Sequence, residues 1–406
     1  MSRFFDPADP DFIADPYPTL NALRERGPLH YDDGFDIWLV TRHQDVRTVQ
    51  LDRRLGRVKD GHARPLDLRP IRELGLEGWE PYYQTERHSL LMLEPPEHTR
   101  IRVLINRAFT PRRVRELREP ICSIADRLLE ALRDRDTIDL LADYAQPFSV
   151  RVIATLLGAP VEDADLMLDW SHAIVKMYEL HCTREQAEAA IDASVEFLAW
   201  ASALITSRRA DPKDDLITAM CLAETDDGGL TDAEIASTVI LLLNAGHEAT
   251  VNTMGNGTVA AMNHGRAWAR LARREVPPAV AIEEMMRFDP PLQMFERYVL
   301  EDGVEVAGTV LPRGEKVAVL FGAANRDPRR YEDPDTFRVD RGDADHITFG
   351  AGVHHCIGAP LARLELEIAL DRLIDTFPRA SLADQPVRED GFAIRGYQSV
   401  NLSTGG

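Results

Sequence analysis

Residues 232–264 leave this chain little freedom to be anything but a protein built around one long helix. Thr231 and Glu234 stand three apart, the spacing of a reciprocal N-terminal capping box, and the apolar run Val239–Leu243 follows. At 1.5 Å per residue such a helix is roughly 50 Å long, enough to cross a whole domain. Its middle, "LLLNAGHEATVNTMGNG", is unusual because Glu248 follows directly on the apolar run. A carboxylate in a buried segment is costly unless it is paired, hydrated or neutral. Ala245 and Ala249 are four apart and share a face, with Gly246 beside them. That face is shallow enough for a flat ligand to lie against. A close helix crossing, with Glu248 salt-bridged or at an exposed rim, accounts for the same residues.

A second stretch points toward a ligand. In "FGAGVHHCIGAP", residues 349–360, Gly350, Gly352 and Gly358 leave little side chain around Cys356. The residues that follow, from Pro360, predict a helix beginning at or just after the cysteine. A thiol at a helix N-terminus ionises more readily, so the loop is suited to presenting a thiolate. One alternative is a nucleophilic cysteine with His354 or His355 as base, which needs an exposed thiol and an orienting Asp or Asn. A third stretch, "AIEEMMRFDPP", sets Glu284 and Arg287 three apart on one helix face, a spacing that is usually only a surface bridge.

The rest of the chain reads as mainly α with minor β. Helical patterns cover 112–134, 139–157 and 185–209, and two short strands flank Asp32-Asp33-Gly34. Short strand-like pieces recur around 304–320 and near the C-terminus. Residues 56–96, rich in Pro, Gly and charge, read as a long connection and a candidate lid. No Rossmann or P-loop glycine pattern occurs, and no apolar run long enough to span a bilayer is expected. The opening "MSRFFDPADPDF" lacks a basic segment leading into an apolar one, so no secretory leader is expected. Four widely spaced cysteines without a CxxC pair suit a reduced, cytoplasmic protein. The formal charge of −20 argues against nucleic acid as a partner. Against that acidic background, residues 97–118 carry seven arginines and two glutamates, read either as a solvated helix face or as a docking patch for an acidic partner.

Taken together and in this order, these segments resemble the cytochrome P-450 family, soluble bacterial type. "FGAGVHHCIG" matches its haem-ligand signature at Phe349, Gly350, Gly352, His354, Cys356 and Gly358. Glu284 and Arg287 match the family's Glu-x-x-Arg pair, and "AGHEAT" matches the oxygen-activation segment of the central helix. The likeness runs from "DPYPTLNALRERGP" through "LEPPEHTRIR" to "NRDPRRYEDPDTFRVDR". It implies a single-domain cytochrome P-450 fold over residues 1–406, with haem b held by Cys356 as axial thiolate. His98, Arg102, Arg297 and His354 are then the candidates for the propionates, and Phe349, Gly350 and Ala245 lie against the haem. The implied activity is a haem-thiolate monooxygenase acting on a small lipophilic substrate, with O2 as co-substrate. A phenol-coupling or peroxide-using oxidase, or a non-catalytic haem sensor, is the alternative. The chain carries no flavin or iron–sulfur module, so electrons come from a separate ferredoxin or flavodoxin-type donor. Its expected docking surface includes Arg102, Arg112, Arg113 and Arg363, with no nucleic acid and no membrane involved.

Two departures from the family pattern matter. Most relatives carry a threonine directly after the acid of the central helix, where it assists proton delivery during oxygen activation. Here that position is Ala249 and the hydroxyl comes one residue later, at Thr250. One helical step rotates a side chain by about 100°, so Thr250 cannot take the same place. Glu248, Thr250 and the position left by Ala249 are therefore the candidate catalytic set. Thr250 is otherwise expected to bond back to the carbonyl of Gly246. Many relatives also bridge the Glu-x-x-Arg pair with an arginine just before Phe337, where this chain has Thr336; Arg338 and Arg341 are open substitutes. Substrate contacts are expected from 56–96, from about 168–190, from the helix near Ala245, and from Pro291 to Phe295.

Overall fold

In the computed structural model, residues 5–58, 78–179, 182–226, 228–343 and 345–405 are described. Much of the expected lid (59–77) and part of one substrate-contact region (180–181) lie outside them. Helix accounts for 54% of the structure, with short strands between, as the mainly α reading expects. The chain forms two compact units: residues 1–56, 125–146 and 249–406 make the first, and 57–124 with 147–248 the second.

The first unit is built on a five-stranded sheet in the order Leu29–Asp32, Ile37–Val40, Lys316–Leu320, Met294–Val299, Leu55–Gly56. The first two strands form the hairpin expected around Asp32-Asp33-Gly34. Lys316–Leu320 pairs parallel to Ile37–Val40 and antiparallel to Met294–Val299. β-Branched residues suit this pleated, half-buried surface, and Val40, Val299, Val317 and Val319 are all buried in one cluster with Val46, Val49 and Phe321. The helix Ala359–Thr376 begins three residues after Cys356, and Pro360 occupies its first turn.

The cysteine loop is suspended from a buried polar network in this unit. Glu284 and Arg287, in the helix Pro278–Phe288, are buried and doubly hydrogen-bonded at 2.7 and 2.9 Å. Arg341 Nε donates to Glu284 Oε2 at 3.0 Å, and the amide of Arg338 donates to Oε1 at 2.8 Å. Arg341 thus supplies the third member that the sequence left open, from 57 positions away. Arg287 also donates to the carbonyl of Asn325 at 2.7 Å. The Asn325 side chain in turn accepts from the amide of Ile347 at 3.0 Å and donates to Thr348 Oγ1 at 2.9 Å. Ile347 O and Phe349 O then accept from the amides of Gly350 and Cys356, at 2.8 and 2.9 Å. Polar contacts therefore link buried Glu284 to the partly exposed cysteine loop. Gly350 and Gly352 both have left-handed φ, at 68° and 70°. A β-carbon on Gly352 would lie 2.3 Å from the carbonyl oxygen of Gln50, so the loop also needs glycine for room.

The second unit is helical. Its long helix, Arg184–Ala210, starts with a complete capping box between Thr183 and Gln186 and packs on the helices Ala164–Val175 and Glu80–Glu86. Trp170 stacks on Phe197 at 5.0 Å across the first of these contacts. By length and composition alone this helix would be apolar enough to cross a bilayer. The hydropathy is spread over alanines rather than one apolar run, and Ala187, Ala190, Phe197, Ala201 and Ile205 are its buried core face.

The helix predicted for 112–134 is broken into Pro111–Glu116 and Arg118–Glu130. The one predicted from 139 opens with six residues of wide π-type turns, Leu140–Ala145, before Gln146–Leu157. The central helix runs unbroken from Asp232 to Asn263. Its capping box is formed as expected, with Thr231 N to Glu234 Oε2 at 2.9 Å and Glu234 N to Thr231 Oγ1 at 3.3 Å. Residues up to 248 belong to the second unit and those from 249 to the first.

The Glu284 network predicts a graded loss of stability. Arg287→Leu leaves a buried carboxylate short of its bidentate partner and should cost about 3–5 kcal/mol in urea unfolding. Arg341→Gln removes one charged donor and should cost about 1–3 kcal/mol. An unchanged urea midpoint for Arg341→Gln would remove Arg341 from the network.

Candidate functional site

Cys356 is half-buried, and its own amide is spent on the carbonyl of Phe349. Gly358 caps the following helix, and a side chain there would start 3.8 Å from the sulfur. The other side of the loop is clamped. Glu283 accepts from Arg363 Nε at 2.7 Å and Nη2 at 3.1 Å, and its Oε2 lies 3.0 Å from His346 Nε2. Burial alone would raise the Glu283 carboxyl, but the His346 and Arg363 hydrogen bonds outweigh it and leave the group below its usual range. The Arg363 guanidinium also lies over the Phe349 ring, 4.6 Å from its centre. Arg363, expected on a docking surface, is thus also committed to a bidentate ion pair that braces the loop. Arg297, on the strand Met294–Val299, is buried, donates to the Glu296 carbonyl at 2.9 Å and lies 4.9 Å from the Phe295 ring centre.

On the central helix, residues 234–240 and 250–261 are buried, whereas between them only Leu243, Asn244 and His247 are. Ala245 is exposed, and Leu241, Gly246, Glu248 and Ala249 are partly so. Leu241, Ala245 and Ala249 recur every four residues, so the opening follows one face of the helix. A helix with accessible small residues at its middle has room for a flat group, and a thiol on a glycine-rich loop supplies a soft donor for iron. In the second unit, His98 is buried and Arg102 half-buried on the helix Glu97–Ala108. His354 is partly exposed in the cysteine loop.

Thr250 departs from expectation. Its hydroxyl does not bond back to Gly246; Oγ1 donates to Glu365 Oε1 at 2.7 Å. Glu365, on the cysteine helix nine residues past Cys356, is buried, and its Oε2 has no hydrogen-bond partner among the described residues. Burial pushes its carboxyl up to about 8, against the smaller opposing effect of the Thr250 hydrogen bond. Sequence reasoning missed this residue. The available signal was an acid within the stripe Leu361, Leu364, Glu365, Ile368, which otherwise follows the core spacing of a helix.

In the second unit, Glu248 Oε1 lies 3.5 Å from His172 Nε2 of the helix Ala164–Val175, and the His172 and His247 rings are 5.7 Å apart. His247 is buried, and burial followed by the nearby His172 pushes it down to about 3, so the ring is neutral. The regions expected to touch substrate contribute a polar pair here. Tyr178 donates to Glu86 Oε1 at 2.8 Å, and burial raises that carboxyl to about 7 despite Tyr178 and Arg57.

The family model for cytochrome P450 matches residues 76–276 and 278–391. The chain belongs to the cytochrome P450 family. It is 40% identical to nocardicin C N-oxygenase of Nocardia uniformis, over 90% of this chain and 87% of that one. It is 36% identical to cytochrome P450 107B1 of Saccharopolyspora erythraea, over 87% and 85%. Its fold matches the crystal structure of P450BioI in complex with an acyl carrier protein, with a TM-score of 0.89 at 28% identity, covering 97% and 99% of the two chains. This P450 is a monooxygenase of the haem-thiolate class, whose members bind haem through a cysteine thiolate and use O2, an organic substrate and a redox partner. The sensor alternative falls with that assignment.

Glu365 gives a pH test. Its folded-state proton affinity lies above that of an ordinary glutamic acid, so the folded state holds a proton that the unfolded chain loses. Stability therefore falls as pH rises from about 4.5 toward 8, by up to about 1.4 kcal/mol per unit, and the loss is complete above that. Glu365→Gln should remove this slope, so its melting temperature relative to the parent climbs through that window and then levels off. A difference that is flat from pH 5 to 9 would mean that Glu365 is ionised in the folded protein.

Proposed function

We propose that this P450 inserts one oxygen atom of O2 into a small lipophilic substrate, releasing the other as water and drawing two electrons from a separate ferredoxin or flavodoxin-type protein in the cytoplasm. The reading takes residues 1–406 as one haem-thiolate domain, supported by near end-to-end coverage of P450BioI. It rests above all on the open stretch of the central helix, where Ala249 leaves space and Glu248 stands beside it.

Haem, bound through a cysteine thiolate, supplies the oxidising centre, and the electron-rich sulfur favours cleavage of the O–O bond. Cys356 is the residue we assign to that ligand. Phe349, Gly350 and, on the central helix, Ala245 are assigned to lie against the macrocycle. His98, Arg102, Arg297 and His354 are assigned to the propionates. Arg297 is buried on the strand Met294–Val299, where a guanidinium would meet an anion out of water.

Protons come from two acids in this reading. Glu248 is partly exposed on the open face, so it can reload from water. Glu365 holds its proton at neutral pH, and because Oε1 accepts from Thr250, that proton sits on Oε2. Thr250 then fixes the orientation of Glu365 instead of taking the role vacated at Ala249. For the donor, the arginine-rich segment 97–118 is the proposed docking surface, with Arg102, Arg112 and Arg113 contributing charge and Arg363 held in place by Glu283. Arg113 reaches Asp214 at 3.1 Å and Arg112 pairs with Glu116, both on the exposed surface where such pairs are weak and readily exchanged. A mainly apolar substrate with one polar group suits Tyr82, Tyr178 and Glu86 in the proposed contact regions.

The test uses a lipophilic compound selected by the optical shift that binding produces in the haem spectrum, and surrogate redox proteins. Product formed per reduced nicotinamide consumed should change by less than about twofold in Ala249→Thr, while Glu248→Gln should slow turnover about 100-fold. A several-fold gain in coupling for Ala249→Thr would mean that neither acid replaces the missing hydroxyl.

A further inference from the structure

The group His172, His247 and Glu248 has a geometry that proton delivery alone does not require. Each residue offers one ligand atom, and the three atoms lie within 4.8 Å of one another. His247 and Glu248 are consecutive on the central helix, where neighbouring side chains diverge by about 100°. They converge only because His172, from the helix Ala164–Val175, lies against both. His247 is fully buried, yet among the described residues neither of its ring nitrogens has a hydrogen-bond partner. A buried imidazole without partners forfeits about 1–3 kcal/mol per polar atom, a cost that a ligand in the group would relieve.

We propose that His172, His247 and Glu248 form a site for a divalent transition-metal ion of the zinc class, and that its occupation withdraws Glu248 from proton delivery. The donor set supports this. Two imidazoles and a carboxylate with one position left for water is a common three-ligand zinc arrangement. Ligands about 2.0–2.1 Å from a tetrahedral ion stand roughly 3.3 Å apart. His172 and Glu248 are already 3.5 Å apart. The other distances are at most 4.8 Å, so closing the group asks for side-chain movement of about 1.5 Å or less. The His172 side chain is 39% exposed. That exposure also gives an ion a way in from solvent. A formal charge of −20 on the chain favours approach of a divalent cation. Competition is direct, because the carboxylate that ligates the metal is the one assigned to carry protons. This second half rests on the role proposed for Glu248; the site itself does not.

Zinc chloride titrated by calorimetry into the purified haem-loaded protein tests the site without reference to turnover. The parent should bind one ion per chain at this position. His172→Gln and His247→Gln should each weaken that event by at least about tenfold, equivalent to about 1.4 kcal/mol. His172→Gln alters a partly exposed side chain, and an unchanged carbon monoxide spectrum and melting temperature would establish that it folds. In parallel, zinc should lower product formed per reduced nicotinamide in the parent, reversibly with EDTA, and leave that ratio insensitive to zinc in His172→Gln. No binding, or equal binding by the parent and both variants, overturns the site. Site-specific binding with no effect on coupling upholds the metal site and overturns the proton-delivery role of Glu248.

Discussion

The structure depends on how the sulfur of Cys356 is held in place without being buried. A thiolate meant for a metal must stay accessible, so its position cannot come from packing of its own side chain. It comes instead from the backbone of residues 347–356, gripped by Asn325, which is itself tied to Arg287 and the fully buried carboxylate of Glu284. Four donors converge on Glu284, two from Arg287 and one each from Arg338 and Arg341. A buried carboxylate is tolerable only when its lone pairs are satisfied in this way, and the same satisfaction makes the loop rigid. The clamp of Glu283, Arg363 and Phe349 repeats the strategy on the other side of the loop.

The central helix solves a different problem. Its middle interrupts an apolar run with small residues on one face and an acid beside them. Two carboxylic acids belong to this region, Glu248 on the helix and Glu365, hydrogen-bonded to Thr250. For Glu365, burial without a counter-charge pushes the carboxyl up to about 8, so it holds its proton at neutral pH.

What could be read from the sequence follows from the range of the interactions. The cysteine loop, the capping box at Thr231 and Glu234, and the hairpin at Asp32 were legible because spacing within a few residues encodes them. The Glu-x-x-Arg pair was legible as a pair, but its third member was not, since Arg341 reaches Glu284 across 57 positions. Thr250 was misjudged for the same reason. A local rule offered the Gly246 carbonyl, and a residue 115 positions away offered a better acceptor. The break at Leu117 and the wide turns at Leu140–Ala145 are each followed by a proline in the first turn of the next helix, Pro120 and Pro147, a signal that apolar spacing alone passes over. In the second unit, only His172 makes a cluster of His247 and Glu248, and no spacing along the chain reveals it.

The account turns on Cys356 supplying the sulfur that ligates haem iron. The most direct measurement is the carbon monoxide difference spectrum of the reduced protein, compared with that of Cys356→Ala reconstituted with haemin. The parent should show the long-wavelength Soret band of a thiolate-ligated ferrous complex, and the variant should lose it. A variant that retains that band, or a parent that never takes up haem, would contradict the assignment on which the rest is built.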